Sequence, residues 1–169
     1  MRAFIAGAAF LMAAHASCST FAMDALNFNG LIIGEPSSRT AVESLDGLKC
    51  APSVAQEMVC RGHTTIAGRG GNAHIVIADG ILARVSIGFP PAAFNNIVDG
   101  LVGKLGKPTS DTRTTVENRM GGTFDNRTVT WRDGRGNLLR VSRYGTSIDE
   151  GSYMLVTLGD LERFGNGNR

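Results

Sequence analysis

The chain has 169 residues, which fits one domain or two very small lobes, and its hydrophobic fraction of 43% and charged fraction of 19% exclude a chain that is disordered throughout. Its 17 basic and 15 acidic residues give a net charge of +2, too close to neutral for general attraction to nucleic acid or to an anionic membrane. The 22 glycines show no three-residue period, so they exclude collagen and predict many tight turns between short strands.

The first residues have the layout of a secretory signal peptide, expected over residues 1–22. A positive start precedes the uncharged apolar run 3–14, which is too short to span a bilayer. Small residues permit cleavage after Ala22, which we favour, or after Ala16. Acylation of Cys18 stays open as an alternative. We therefore expect a periplasmic or secreted protein with no transmembrane segment.

Cleavage after Ala22 leaves two cysteines, Cys50 and Cys60. An even count in an oxidising compartment predicts a disulfide between them. The alternative is a pair of buried thiols or half of a metal site, which would have only two histidines to complete it.

The first half of the mature chain predicts a short helix and three strands. Pro36-Ser37-Ser38 opens the helix, which is expected over residues 39–45, with Thr40 and Glu43 at capping-box spacing. A glycine-rich turn at 68–72 and the Asp79-Gly80 hairpin signal separate the strands. The expected strands are 57–67, 73–78 and 81–89, and strict alternation in the last predicts one buried face and one wet face.

A second helix begins after Pro90-Pro91, and four more strands follow it. Its apolar stripe has helical spacing and consists of Phe94, Ile97, Val98, Leu101 and Leu105. Gly106 and Pro108 end the helix, and Gly100 and Gly103 within it are expected to permit close packing on a sheet. The later strands are expected over 112–118, 123–132, 137–144 and 152–158, and a disordered tail over 163–169.

These elements predict an α+β fold, with two helices packed on an antiparallel β-meander in a single domain over 23–169. Ile33-Gly34-Glu35-Pro36 and Ile87-Gly88-Phe89-Pro90 precede the two helices and match at three positions. The match suggests a tandem helix-plus-meander repeat, with units over 30–89 and 90–160.

Two short motifs resemble those of small secreted helix-plus-meander proteins. Cys50-x9-Cys60-Arg61-Gly62-His63 is similar to the first cysteine pair of the β-lactamase inhibitor proteins. Leu105-Gly106-Lys107-Pro108 resembles the helix end of the small lipoprotein of the outer-membrane barrel-assembly machinery. The second unit departs from the inhibitor pattern because it has no cysteine pair. The resemblance implies the fold and the binding of a protein partner.

The sequence contains no complete catalytic constellation, so we predict that the protein is not an enzyme and needs no cofactor. Gly68-Arg69-Gly70-Gly71 is interpreted as a hairpin turn, because a strand and not a helix follows it. His63 and His74 fall on neighbouring strands, directly opposite if the turn is 68–69 and diagonal if it is 68–71. We interpret them as exposed histidines of one sheet face.

Arginines dominate the second unit, and they supply the candidate binding residues. Between residues 113 and 143 seven arginines face three acids, and Arg127 shares a strand face with Trp131. Arginine and tryptophan together on an exposed face are typical of a protein-binding hot spot. The predicted binding residues are Arg127, Trp131, Arg132 and Arg140, with His63 on the other unit. The alternative is a solvated face of ion pairs with Trp131 in the core.

The sequence therefore predicts a non-enzymatic protein-binding module, either an inhibitor or an accessory factor of the cell envelope. Its expected partner is another secreted or envelope protein and not nucleic acid, and the protein itself is expected to be a monomer or weak dimer. One alternative is a metal-dependent hydrolase centred on His63 and His74, with Glu57 or Asp79 as a third ligand. The other is a structural component of the cell envelope.

Overall fold

The chain folds as a helix and a four-stranded meander, twice in succession. The structure, a computed structural model, describes residues 25–166, so the expected signal peptide and Cys18 lie outside it. A small hairpin of β1 (Asn27–Phe28) and β2 (Leu31–Ile32) comes first. The first unit contains α1 (Arg39–Glu43), β3 (Leu48–Cys50), β4 (Glu57–Ile66), β5 (Arg69–Ala78) and β6 (Ile81–Phe89). The second contains α2 (Phe94–Leu105), β7 (Ser110–Glu117), β8 (Thr123–Arg132), β9 (Leu138–Ser147) and β10 (Glu150–Val156), and α3 (Leu158–Asn166) follows.

The two meanders form one antiparallel sheet of eight strands, in the order β3-β4-β5-β6-β10-β9-β8-β7. Their last strands, β6 and β10, pair with each other, so the second meander continues the first in reverse order. The predicted α+β class and the helix-plus-meander arrangement are confirmed. Among the described residues, no helix is long and apolar enough to cross a membrane.

The hydrophobic core lies between one face of this sheet and the helices α1 and α2. The predicted stripe of α2 meets the sheet there, with Phe94, Ile97, Val98 and Leu101 buried and Leu105 partly buried. A Cβ atom at Gly100 would lie 2.7 Å from the Cβ of Ala67, so this glycine permits the close packing that the sequence predicted. Gly103 has no neighbour within 4 Å and serves no such purpose.

Three local expectations for the first unit were wrong. Ser38, not Thr40, caps α1 by accepting a hydrogen bond from the Ala41 amide. Strand β3 was missed because three residues carry no periodic signal. The β4–β5 turn is Ala67-Gly68 alone, and the glycines after it belong to β5.

The expected disordered tail was also wrong over part of its length. α3 continues to Asn166, and residues 167–169 lie outside the described part of the chain.

The Asp79-Gly80 hairpin is confirmed, since both residues have positive φ and directly join β5 to β6.

The Cys50–Cys60 disulfide predicted from the sequence is present. The two cysteines are directly opposite each other in the β3–β4 ladder, so the bond fastens the short edge strand β3 to the sheet.

The double variant Cys50→Ala with Cys60→Ala should lower the free energy of unfolding by about 2–3 kcal/mol. Without the disulfide, a short loop of the unfolded chain is no longer closed, and the unfolded state gains conformational entropy. Urea unfolding measures the change. The wild type under reducing conditions should show the same loss, and equal stability of the oxidised wild type and the variant would contradict this account.

Candidate functional site

The candidate site is the sheet face opposite α2, which we call the open face. Trp131 and Leu155 lie in the core with α2, so residues that alternate with them, such as Met154, point to the open face. One row of this face crosses all eight strands in direct register: Lys49, Arg61, His74, Ser86, Met154, Arg140, Thr130 and Ser110.

The neighbouring row of the open face carries imidazole, amide and hydroxyl side chains and one glycine. It consists of His63, Asn72, Gly88, Ser152, Ser142, Thr128 and Thr112. The side chain of Glu150 occupies the space where a side chain on Gly88 would lie, which places one carboxylate near the middle of the face. Hydroxyl and amide groups therefore lie along one side of the first row.

Three cations of the first row have no counter-ion. Lys49, Arg61 and Arg140 form no ion pair with any residue between 25 and 166. Arg61 and Arg140 are exposed and separated by four strand spacings, or about 19 Å. The open face thus presents separated positive charges that form no ion pair within the described part of the chain.

The opposite end of the open face is covered. Val76, Val156 and Leu138 lie on it, yet each is no more than 1% exposed. Arg84 pairs with Val76 and Val156 in the ladders. Its Nε atom lies 3.7 Å from the Oδ2 atom of Asp160 in α3. We infer that α3 lies over this end, so only the two polar rows beyond it are free for a ligand.

A cleft lined by both polar and apolar residues borders the open face at the end of the second unit. Its volume is about 670 Å³, and it lies between the β7–β8 and β9–β10 turns. Phe124 and Tyr144 pack edge to face beside it with their ring centres 5.9 Å apart. Met120, in the β7–β8 turn, is 91% exposed at its rim.

The backbone of Tyr144 is held in place by Asn126. The Asn126 side chain donates to the Tyr144 carbonyl at 3.2 Å and accepts from the Tyr144 amide at 3.0 Å. This buried amide fixes the ring next to Phe124. No local pattern in the sequence predicts the aromatic pair, because its two members meet only through the β8–β9 register.

His63 and His74 share the open face but are diagonal, since His63 lies opposite Asn72 and His74 opposite Arg61. His63 is exposed, and its Nδ1 atom lies 3.4 Å from the Asn72 side-chain oxygen. No group of three potential metal-ligating residues occurs within residues 25–166. The hydrolase alternative therefore lacks a third ligand in the described structure.

The candidate binding residues of the second unit do not lie together. Trp131 is fully buried and donates its indole N–H to the Gly106 carbonyl at 3.1 Å, so the expected exposure of Trp131 was wrong. Arg127 shares its face with Trp131, as predicted, but this is the face that α2 covers. Its guanidinium lies 5.8 Å from the Phe94 ring centre and binds the Asp111 carboxylate through two nitrogens.

Arg132, Arg140 and His63 do reach the open face. Arg132 lies beside the covered end, where it donates to the Gly136 carbonyl at 3.3 Å. Arg140 lies in the first row, and His63 lies in the neighbouring row. Lys49 and Arg61 also lie in the first row, although the sequence analysis did not select them.

Comparison with known proteins adds no assignment, since no family model, no curated protein and no solved structure matches the chain. The resemblance to the inhibitor and barrel-assembly proteins stays a prediction from the two motifs.

Trp131→Ala should lower the free energy of unfolding by about 3–5 kcal/mol, because the change leaves a cavity in the core. Arg140→Ala, an exposed control on the next strand, should change it by less than about 0.5 kcal/mol. Urea unfolding distinguishes the two outcomes, and a Trp131→Ala protein as stable as the control would place the indole outside the core.

The pKa of His74 is lowered from 6.5, first by burial and then by the charges of Arg61 and Arg84. Arg61→Gln should therefore raise this pKa in an NMR titration, whereas Arg132→Gln on the other unit should not.

The folded-state pKa of His74 lies below the unfolded value, so the unfolded chain binds this proton more tightly. His74 should therefore lower the free energy of unfolding as the pH falls below 6.5 and through the folded pKa. A His74 pKa at or above 6.5 would contradict the cationic environment.

Proposed function

We propose that this is a secreted, periplasmic and non-enzymatic protein that binds another protein on its open face. The observation that carries the proposal is the row of Lys49, Arg61 and Arg140, which have no ion-pair partner among residues 25–166. Charges arranged across a surface favour a partner of complementary charge and steer its approach. The partner we propose is an envelope or secreted protein with an acidic surface.

The polar rows and the aromatic cleft support a protein as the ligand. Serine and threonine hydroxyls offer hydrogen bonds over a broad area without a deep pocket. At one end, Phe124, Tyr144 and Met120 offer apolar contacts of the kind that anchor protein interfaces. A broad polar surface with an apolar anchor at its margin suits a folded partner better than a small molecule.

The location in the cell follows from the disulfide and from the N-terminal pattern. A Cys50–Cys60 bond favours an oxidising compartment. The leader expected over residues 1–22 would deliver the protein there. An inhibitor or an envelope accessory factor fits this location equally well.

Photo-crosslinking in living cells tests the proposal. A photoreactive amino acid in place of Met154, at the centre of the open face, should give one discrete adduct with an acidic protein. The same amino acid in place of Asn96, an exposed residue of α2, should not give that adduct. Equal adducts from both positions would contradict binding at the open face.

Charge reversal supplies the matched control. Arg61→Glu with Arg140→Glu should abolish the Met154 adduct, because both changes place negative charge against an acidic partner. Arg69→Glu, an exposed arginine on the α2 side of the sheet, should leave it unchanged. An adduct that survives the double reversal would overturn the electrostatic basis of the proposal. Recovery of the protein only with insoluble envelope material would favour the alternative that it is a structural component of the envelope.

A further inference from the structure

The two edges of the eight-stranded sheet differ in whether other groups bind their outward-facing backbone. At the β3 edge, α1 binds the outward-facing backbone. The Arg39 guanidinium donates to the Cys50 carbonyl at 2.6 Å and to the Ala51 carbonyl at 2.9 Å. The Glu43 carboxylate accepts from the Cys50 amide at 2.9 Å. This edge therefore cannot accept another strand without losing those bonds.

The β7 edge has no such cover. β7 pairs with β8 alone among the described strands, and it runs for eight residues without a register shift. All of its residues are exposed except the half-buried Val116. Proteins usually protect a long edge with proline, a bulge or charged side chains; β7 has no proline and no bulge, and its charged side chains, Asp111, Arg113 and Glu117, include both signs.

The outward-facing backbone groups of β7 follow from the ladder. Asn118 donates its amide to the Gly122 carbonyl, which continues the β7–β8 register into the turn. Amides alternate in direction along an antiparallel strand, so Asp111, Arg113, Thr115 and Glu117 point their backbone groups away from β8. These four residues would pair with any added strand.

We propose that two copies of this chain associate through β7, antiparallel, with a two-fold axis at Thr115. This register places Arg113 of each copy opposite Glu117 of the other, and neither side chain has an ion pair among residues 25–166. Opposite charges at paired positions stabilise neighbouring strands. The result is one continuous sheet that joins both copies.

Neighbouring registers are less favourable because they bring like charges together. A two-fold axis at Arg113 places Arg113 of one copy opposite Arg113 of the other. An axis at Thr114 places Asp111 of each copy opposite Glu117 of the other. The strand is therefore complementary to itself in the proposed register, which favours a second copy over a foreign strand. The contact uses the α2 side of β7 and does not rest on the function proposed for the open face.

Sedimentation velocity of the purified protein over a concentration series tests the association. The wild type should dimerise, and Arg113→Glu or Glu117→Arg should each weaken dimerisation by about tenfold, because two attractive pairs become repulsive. The double variant should restore it. Arg69→Glu, distant from this edge, should dimerise like the wild type.

A backbone variant provides a second test. Thr115→Pro removes an amide that points away from β8, so the protein should stay folded by circular dichroism and become monomeric. A wild type that is monomeric at every concentration would overturn the proposal. So would a dimer that tolerates both single reversals and Thr115→Pro.

Discussion

The pairing of β6 with β10 is the interaction on which the rest of the structure depends. It runs through six residue pairs, from Gly151 opposite Phe89 to Val156 opposite Arg84. Each unit alone would have about 60 residues, a size at which a single core is marginal. The pairing brings the buried faces of both meanders to the same side, where residues from both units form one hydrophobic cluster.

Burial of one face also decides what the other face and the edges offer. Since α2 and the core occupy one side, the opposite side carries polar residues whose order across the sheet is set by strand register. Lys49 and Arg61 are direct partners within the first unit, and Arg140 of the second unit joins their row only because the two units pair through β6 and β10. The same junction places β3 and β7 at the two edges, one covered by α1 and one uncovered.

Local patterns in the sequence predicted much of this fold. β6 and β8 have the bounds expected from alternation, and the stripe of α2 identified its buried residues. Tertiary context decided the rest. Gly70 and Gly71 looked like a turn, but β5 continues through them, and at Gly71 the Ile87 side chain and the Gly88 carbonyl leave no room for a Cβ atom.

The candidate site was harder to predict than the fold. Alternation placed Arg127 and Trp131 on one face, but the position of α2 decided that this face is covered. The contact between Phe124 and Tyr144 depends on a register between strands that no local pattern reveals.

The central claim is that a protein covers the open face in the cell, and hydroxyl-radical footprinting tests it most directly. The rate of Met154 oxidation is compared between living cells and the purified protein, with Val102, an exposed residue of α2 on the opposite side of the sheet, as an internal reference for radical dose. The account predicts that Met154 is protected in cells relative to Val102. Equal relative rates in the two samples would contradict it.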